Sequence, residues 1–168
     1  MNVTLQPITS DNWIDCIGLA QTAEQARIGF VAPNSFSLAQ AHYEPWWQPY
    51  GLYATINGQP TMVGFALAGR LPLTNLPVHY TDATPGVDFI LRFMIDARYQ
   101  GQGYGRAGMQ ALLAQLKAQP DVQAIEISYD VANSVMAHLC TQAGFQPTGR
   151  LIDGEIEAQL LDHGGVNG

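Results

Sequence analysis

The order of hydrophobic and polar positions predicts an early helical region followed by an antiparallel hairpin. Residues 3–8 alternate between apolar and polar side chains, as a strand with one buried face does. Asn57-Gly58 separates two apolar stretches, 52–56 and 62–67, and favours a two-residue hairpin turn because both residues tolerate positive φ. Prolines interrupt residues 20–50, so we expect short helices and loops there.

In the second half of the chain, predicted strands alternate with predicted helices. Strands are predicted over 87–95, Ala124–Tyr129, 145–148 and Glu155–Leu161. Apolar residues recur at helical spacing over 104–118, and a further helix over Ser134–Ala143 ends at Gly144, which suits a left-handed cap. This order predicts an α+β fold in which a mixed sheet carries helices on both faces.

One connection is unusually long. Residues 71–86 contain three prolines and show no clear period. A connection of this length in a compact domain is often a lid or a binding loop, and it is equally well explained as a passive extension of a hairpin. The sequence leaves both interpretations open.

Composition limits the class of protein. The chain has 168 residues, 47% of them hydrophobic, which fits one domain; we assign it to residues 1–163, with 164–168 as a flexible tail. Seven Lys and Arg residues against 14 Asp and Glu residues give a net charge of −7. Binding to nucleic acid needs a basic face, so no nucleic-acid partner is expected. An acidic surface suits cationic partners, although it also serves solubility alone.

Two further features bear on the compartment and on metals. No apolar run approaches the roughly 20 residues that span a bilayer, and the N-terminus has no secretory signal pattern, so a cytoplasmic protein without membrane contact is expected. Cys16 and Cys140 lie far apart and lack the spacing of metal ligands. We therefore expect reduced thiols and no metal site.

A glycine-rich turn carries the chemistry that the sequence indicates most clearly. Gly101, Gly103 and Gly105 alternate between a predicted buried strand and a predicted helix. Glycines let a ligand approach the main chain closely, and free amides at the start of a helix favour an anion. Arg98 and Arg106 flank these glycines in an acidic chain. The pattern predicts a phosphate site rather than a turn that is merely tightly packed.

A dinucleotide site is the rival interpretation. Gly103, Gly105 and Gly108 form a GxGxxG pattern, and Glu126 follows about 20 residues later, as in dinucleotide-binding folds. In those folds, however, the glycines follow the strand at once, whereas residues 96–102 intervene here. The unit also begins too late in the chain to leave room for a second mononucleotide-binding half.

Two motifs resemble those of the GNAT superfamily of N-acetyltransferases. Gln100-x-x-Gly103-x-Gly105 resembles its Q/R-x-x-G-x-G/A motif, and the stretch from Asn133 to Gly144-Phe145 is similar to its later motif, in which Asn opens a helix and Gly-Phe ends it. The phrases RFMIDARYQGQGYGR and FVAPNSFSLAQA resemble the spermine/spermidine, or diamine, acetyltransferase branch.

The resemblance implies an α/β/α sandwich with a mostly antiparallel central sheet, and an acetyl group that passes from acetyl-CoA directly to a primary amine in a ternary complex. A small polyamine is the expected acceptor, no metal takes part, and a homodimer is the suggested assembly. By resemblance, the pantetheine and diphosphate of the cofactor are held by Phe93, Met94, Ile95, Gln100, Gly101, Gln102, Gly103, Tyr104, Gly105, Arg106 and Asn133. An alternative is a non-catalytic acyl-CoA-binding domain of the same fold.

The proton donor to the leaving thiolate is less clear. Many members of the family carry a Tyr seven residues after the Asn, where this chain has Cys140. A thiol (pKa about 8.5) is more acidic than a phenol (about 10), but it is a weaker hydrogen-bond donor. Cys140, another group such as Tyr129, Tyr104 or water, and a site that binds without turnover all remain open.

The acceptor site is not marked by any motif. A carboxylate or an ordered water must take the proton from the attacking amine. Glu24, Glu44 and Asp88 are the candidates for amine binding. The aromatic residues that could wall an amine site through cation–π contact, or simply pack in the core, are Phe36, Tyr43, Trp46 and Trp47.

Overall fold

The computed structural model describes residues 2–75 and 84–161. Their strands are β1 (Thr4–Pro7), β2 (Trp47–Ile56), β3 (Gln59–Arg70), β4 (Asp88–Ile95), β5 (Ala124–Tyr129), β6 (Gln146–Ile152) and β7 (Glu155–Leu161). Their α-helices are α1 (Trp13–Ile17), α2 (Ala23–Ile28), α3 (Asn34–Tyr43), α4 (Tyr104–Lys117) and α5 (Ser134–Ala143). Residues 76–83 of the long connection and the predicted tail, 164–168, lie outside the described residues.

The strands form one sheet in the order β1-β2-β3-β4-β5-β7-β6. Within the described ranges, β4 and β5 are the parallel neighbours, and each of the other pairings is antiparallel. The predicted mixed, mostly antiparallel sheet is therefore confirmed. The bounds of β5, β7 and α5 agree with the sequence prediction.

Strand β2 begins five residues earlier than its apolar pattern predicts. Pro49 lies inside it, where a proline normally argues against a strand. The Pro49 carbonyl accepts a hydrogen bond from the Ile8 amide at 3.1 Å, which places its polar groups on the β1 side. There the ladder with β1 ends at Tyr50, so the missing N–H of Pro49 costs the sheet nothing.

Helices cover both faces of the sheet, as predicted. On one face α4 buries Met109, Leu112 and Leu116 against a core that also contains Ile90 and Ile125. On the other face a second cluster contains residues of α1, β2, β3 and β4: Cys16, Trp47, Phe65, Leu67, Phe89 and Met94. The two clusters make the sheet the middle layer of a sandwich.

The feature that positions the site is the separation of β4 from β5. The two strands pair only from Asp88 to Ile90 on β4, opposite Ile125 to Ile127 on β5. Beyond that point β4 continues to Ile95 along β3, with Leu91 as an additional residue in a β-bulge, because Leu67 pairs with Arg92 and Ala68 with Ile90. A wedge opens between the carboxyl ends of β4 and β5.

Asp88 lies at the opposite end of β4 from this wedge. It is 3% exposed, and its Oδ2 accepts hydrogen bonds from Arg70 Nη2 at 2.8 Å and Arg70 Nε at 3.2 Å. Arg70 also pairs with Asp88 in the register of β3 and β4. This carboxylate holds two strands together, and the structure does not bring it to the wedge, where an amine-binding role would need it.

We expect Asp88→Asn to lower the free energy of unfolding by about 1–3 kcal/mol, because it weakens two hydrogen bonds between charged groups at a buried position. Urea denaturation of the variant beside wild type measures the change. Asp121→Asn, on an exposed turn, is the matched control and should stay within about 0.5 kcal/mol of wild type. Equal stability of the two variants would contradict a structural role for Asp88.

Candidate functional site

A cavity of about 850 Å³ occupies the wedge and the sheet face in front of it. Strand residues line its floor: Phe89, Ile90, Leu91, Arg92 and Phe93 from β4, and Ile127, Ser128 and Tyr129 from β5. Asn133 and Met136 of the α5 region border the wedge, while residues of α3 and of the turn between β6 and β7 form the walls. The cavity therefore joins the parted strands to a half-open chamber.

The main chain of β4 is available along the wedge. Residues 91–95 lie beyond the last residue that pairs with β5, so their polar groups on that side have no ladder partner among the described residues. The side chains of Phe93, Met94 and Ile95 are buried, and of these three only Phe93 lines the cavity. An unpaired strand edge of this kind can hydrogen-bond the amides of an extended ligand.

The glycine-rich turn follows β4 directly. Asp96 caps a short 3₁₀ helix, Ala97–Tyr99, through a bond from the Arg98 amide at 2.9 Å. Gly101 and Gly103 then adopt left-handed φ angles of +72° and +89°. Gly103 is the N-cap of α4, and no side chain caps the helix there. The first amides of α4 are consequently left without an intrahelical or side-chain acceptor.

The side chains of the turn bind within the protein instead. Gln100 Nε2 donates to the Ile95 carbonyl and to Gln25 Oε1, both at 2.9 Å, and Gln102 Nε2 donates to the Arg98 carbonyl. Arg98 Nε lies 2.7 Å from Asp96 Oδ1. Main-chain amides, together with the exposed Arg106, are thus the groups that this turn offers to a ligand.

These features fit a coenzyme A moiety. Orphaned amides at a helix N-terminus suit a diphosphate, and an unpaired strand edge suits the two amides of pantetheine. Asn133 lies beside the wedge as the N-cap of α5, where its Oδ1 accepts from the Met136 amide at 3.1 Å. Tyr104 instead packs edge-on against Tyr99 with centroids 6.0 Å apart, and it does not line the cavity.

The far wall of the cavity is aromatic and contains a carboxylate. Phe36, Tyr43 and Trp47 line it, whereas Trp46 does not. Glu44 also lines it, with its Oε2 accepting from Trp47 Nε1 at 2.9 Å and from Gln40 Nε2 at 3.0 Å. Of the three acidic candidates, Glu44 is therefore the one that the fold brings to the cavity.

Glu24 lies elsewhere. It is exposed in the first turn of α2 and is not part of the cavity lining. A carboxylate favours that position because it faces the positive end of the helix dipole.

Cys140 and Tyr129 differ in their access to the cavity. Cys140 is 1% exposed, lies in the core cluster beneath α4 and α5, and does not line the cavity. Burial raises the pKa of its thiol to about 12. Tyr129 is 7% exposed but lines the cavity at the end of β5. Its pKa is raised by burial and, to a lesser extent, by the neighbouring Cys140.

Several polar residues at the cavity were not predicted from the sequence, among them Ser128, Asp153 and Glu155. Ser128 lines the floor, Asp153 lies in the turn between β6 and β7, and Glu155 is the first residue of β7. Ser128 Oγ donates to Glu155 Oε2 at 2.6 Å. The signal that could have found them is Asp153-Gly154, a typical hairpin dipeptide whose Asp adopts a φ of +49°.

Two features are absent from residues 2–75 and 84–161. No group of three or more His, Cys, Asp or Glu side chains is placed there to hold a metal ion. None of the described helices combines the length and the apolar character that crossing a bilayer requires.

Comparisons with known proteins agree with this geometry. The chain is 28% identical over 151 residues to a spermine/spermidine N(1)-acetyltransferase of Bacillus subtilis (strain 168). The alignment covers 90% of this chain and 92% of that protein. Its fold is similar to that of an aminoglycoside acetyltransferase, AAC(6')-Ib, in a complex with coenzyme A and kanamycin (TM-score 0.73, 22% identity, 96% and 95% covered).

A spermidine N-acetyltransferase from Vibrio cholerae, in a complex with CoA and spermine, is also similar in fold (TM-score 0.68, 15% identity, 95% of each chain). Residues 19–145 match the model of the acetyltransferase (GNAT) family, which is most of the chain. The predicted fold and the predicted enzyme class are both confirmed. The chain belongs to the acetyltransferase (GNAT) family.

Proposed function

We propose that this protein transfers the acetyl group of acetyl-CoA to a primary amine of a small polyamine, by direct attack in a ternary complex. The observation that carries the proposal is a single cavity that joins the wedge to an aromatic chamber containing carboxylates, while the uncapped turn that follows β4 lies outside the cavity lining. The similarity to a spermine/spermidine N(1)-acetyltransferase supports the choice of acceptor. No observation among the described residues favours the alternative of a non-catalytic domain.

The cofactor site follows from the main chain. The amides of residues 100–106 bind the diphosphate, with Arg106 adding a positive charge at the surface. The edge of β4 at Phe93, Met94 and Ile95, which has no strand partner on the β5 side among the described residues, binds the pantetheine amides, and Asn133 borders the thiol end. Acetyl-CoA supplies an activated thioester, so the protein has to supply position and proton transfer.

The acceptor chamber suits an organic cation. The exposed rings of Phe36 and Tyr43 offer faces for cation–π contact, and Glu44 adds a carboxylate that Gln40 and the buried Trp47 orient. An acidic chain with a net charge of −7 also attracts a polycation over longer distances. An extended polyamine can place one amine at the wedge and a second one beside these groups.

We assign Tyr129 as the group that donates a proton to the leaving thiolate. It lines the cavity beside the wedge, and burial keeps its hydroxyl protonated through a pKa above its ordinary value. Tyr129 and Cys140 belong to the same core cluster, but Cys140 does not line the cavity. Tyr129 on β5 thereby takes the role that the resemblance gives to a residue on α5.

Three finer features belong to the same proposal: one catalytic domain over residues 1–163, a homodimeric assembly and a cytoplasmic location. The described residues form one sheet with helices on both faces, which supports the single domain. The assembly and the location rest on the family resemblance and on the sequence pattern.

Thiol release from acetyl-CoA, followed with a chromogenic disulfide across a panel of amines, tests the proposed function. We expect spermine and spermidine to give a kcat/KM at least about 10-fold above that of kanamycin, since a gain of roughly 1.4 kcal/mol from the chamber is sufficient. Reactions without amine are the control. Binding of acetyl-CoA without thiol release from any amine would favour the non-catalytic alternative.

Gly101→Ala tests the cofactor site. A Cβ at this residue meets no atom within 4 Å, so the substitution adds only the strain of a left-handed φ. That strain, about 1–2 kcal/mol, is relieved when the turn shifts its amides, and we expect the Kd for coenzyme A to rise about 10-fold in calorimetry. Gly149→Ala, with a φ of +84° and equally open space, is the matched control on β6. Equal Kd values for the two variants would remove the turn from the site.

Tyr129→Phe and Cys140→Ala together test the proton donor. We expect the first to lower kcat by about 100-fold, which is typical for the loss of a general acid. The second should change kcat less than about 2-fold and lower the free energy of unfolding by about 1 kcal/mol, as a small core truncation does. Since both groups have raised pKa values, neither loses its proton near pH 7. The reverse order of effects on kcat would assign the donor to Cys140.

A further inference from the structure

We propose that Glu155 accepts the proton that the incoming ammonium must lose before it attacks, and that Ser128 is the positioning residue that holds its carboxylate at the wedge. The inference rests on the proposed acetylation of an amine. It assigns a general base, for which the sequence carries no motif.

Ser128 is placed by the separation of the strands. It directly follows Ile127, the last β5 residue that pairs with β4. The Ile127 side chain packs in the core beneath α4 and α5, and successive side chains of a strand alternate between faces. The Ser128 hydroxyl therefore points to the opposite face, where the cavity opens and where it lines the floor.

Glu155 reaches the same point from the neighbouring strand. It is the first residue of β7, whose second residue, Ile156, pairs with Tyr129. Glu155 lines the cavity and its Oε2 accepts the Ser128 hydroxyl at 2.6 Å, a distance typical of a hydroxyl bound to an ionised carboxylate. This bond fixes one carboxylate oxygen and leaves Oε1 for a ligand.

The other carboxylates on this face of β5 and β7 are already engaged. Glu157 lies 3.2 Å from Arg150 and also accepts from Thr148. Glu126 accepts from Gln159 at 3.0 Å. Neither lines the cavity. Among the described residues no cation pairs with Glu155, so its charge remains available to an ammonium group.

The proton balance of the reaction requires a group that takes a proton from the acceptor ammonium. The acceptor ammonium gives one proton to the Glu155 carboxylate, and its freed electron pair forms the C–N bond to the acetyl carbonyl carbon. The C–S bond breaks, and the thiolate takes a proton from Tyr129. The newly acylated nitrogen then loses its extra proton, which returns to the Tyr129 phenolate. Glu155 releases its proton to solvent.

The pH dependence also involves the other groups in the cavity. Arg92 of β4 places a positive charge there, and Glu44 and Asp153 place negative charges on the other walls. Among residues 2–75 and 84–161, the titratable and charged groups that share the cavity with Glu155 are Tyr43, Glu44, Arg92, Tyr129 and Asp153. All of them are retained when Glu155 alone is changed, so the comparison of a Glu155 variant with wild type isolates its contribution.

The test is Glu155→Gln, measured by thiol release with two amines and as a function of pH. With spermidine at pH 7 we expect kcat/KM to fall about 100-fold. With an amine whose own pKa lies below the assay pH, such as trifluoroethylamine, the deficit should shrink to less than about 5-fold, because that amine is already neutral. The spermidine deficit should also shrink as the pH rises towards the pKa of its amines.

Two further variants separate the roles. Ser128→Ala should lower kcat/KM for spermidine by about 10-fold, with the same dependence on amine pKa, since it loosens the base without removing it. Asp121→Asn removes an exposed carboxylate that does not line the cavity and should match wild type. Thermal unfolding and coenzyme A binding of each variant report whether the fold is intact.

An equal loss for both amines at every pH would overturn the proposal, because it would make Glu155 only a binding charge. A Glu155→Gln variant with wild-type activity would overturn it as well. If trifluoroethylamine is too poor a substrate for wild type, the pH profile with spermidine decides on its own. Failure of wild type to acetylate any amine is a different result, and it would count against the proposed function.

Discussion

The separation of β4 from β5 after three paired residues determines where everything else in the site lies. If the two strands had remained paired to their ends, the amides and carbonyls of residues 91–95 would be satisfied within the sheet. The bulge at Leu91 bends β4 away at this point while its bonds to β3 continue. Within the described part of the chain, main-chain polar groups on the β5 side of β4 are thereby left without a strand partner in the middle of a buried sheet. The strand itself stays ordered, because it remains paired with β3.

The glycine-rich turn at the end of β4 likewise leaves main-chain polar groups without a partner among the described residues. Its polar side chains are satisfied internally, through Gln100, Gln102 and the Asp96–Arg98 pair, while its amides are not. Two further hydrogen bonds link this turn to the helical region before α3. Gln100 donates to Gln25, and Asp96 accepts from the Ala20 amide at 2.9 Å. The glycine-rich turn and the segment that leads into the aromatic wall of the cavity are therefore held as one unit.

Local patterns predicted much of this molecule. The α4 stripe, the cap at Gly144 and the Asn57-Gly58 turn each depend on neighbours within a few residues, and each was found from the sequence. The two family motifs likewise located the turn and the start of α5. The start of β2 was missed because the tolerance of Pro49 depends on where β1 ends, which no local pattern records.

Local sequence patterns did not distinguish the acidic residues that reach the cavity from those that do not. Asp88 and Glu24 are as polar as Glu155, and only the strand order separates a carboxylate bound to Arg70 from one that faces the cavity. Strand β7 lies beside β5 although β6 precedes it along the chain, and this crossing is what brings Glu155 to Ser128.

Tertiary placement also decides between Cys140 and Tyr129 as the proposed proton donor. The position of Cys140 after Asn133 matches the family motif, but Cys140 does not line the cavity, whereas Tyr129 of β5, which belongs to the same core cluster, does. A catalytic role belongs to the atom that reaches the reacting groups, so a shorter residue on α5 can be compensated by a longer one on β5 without a change of fold.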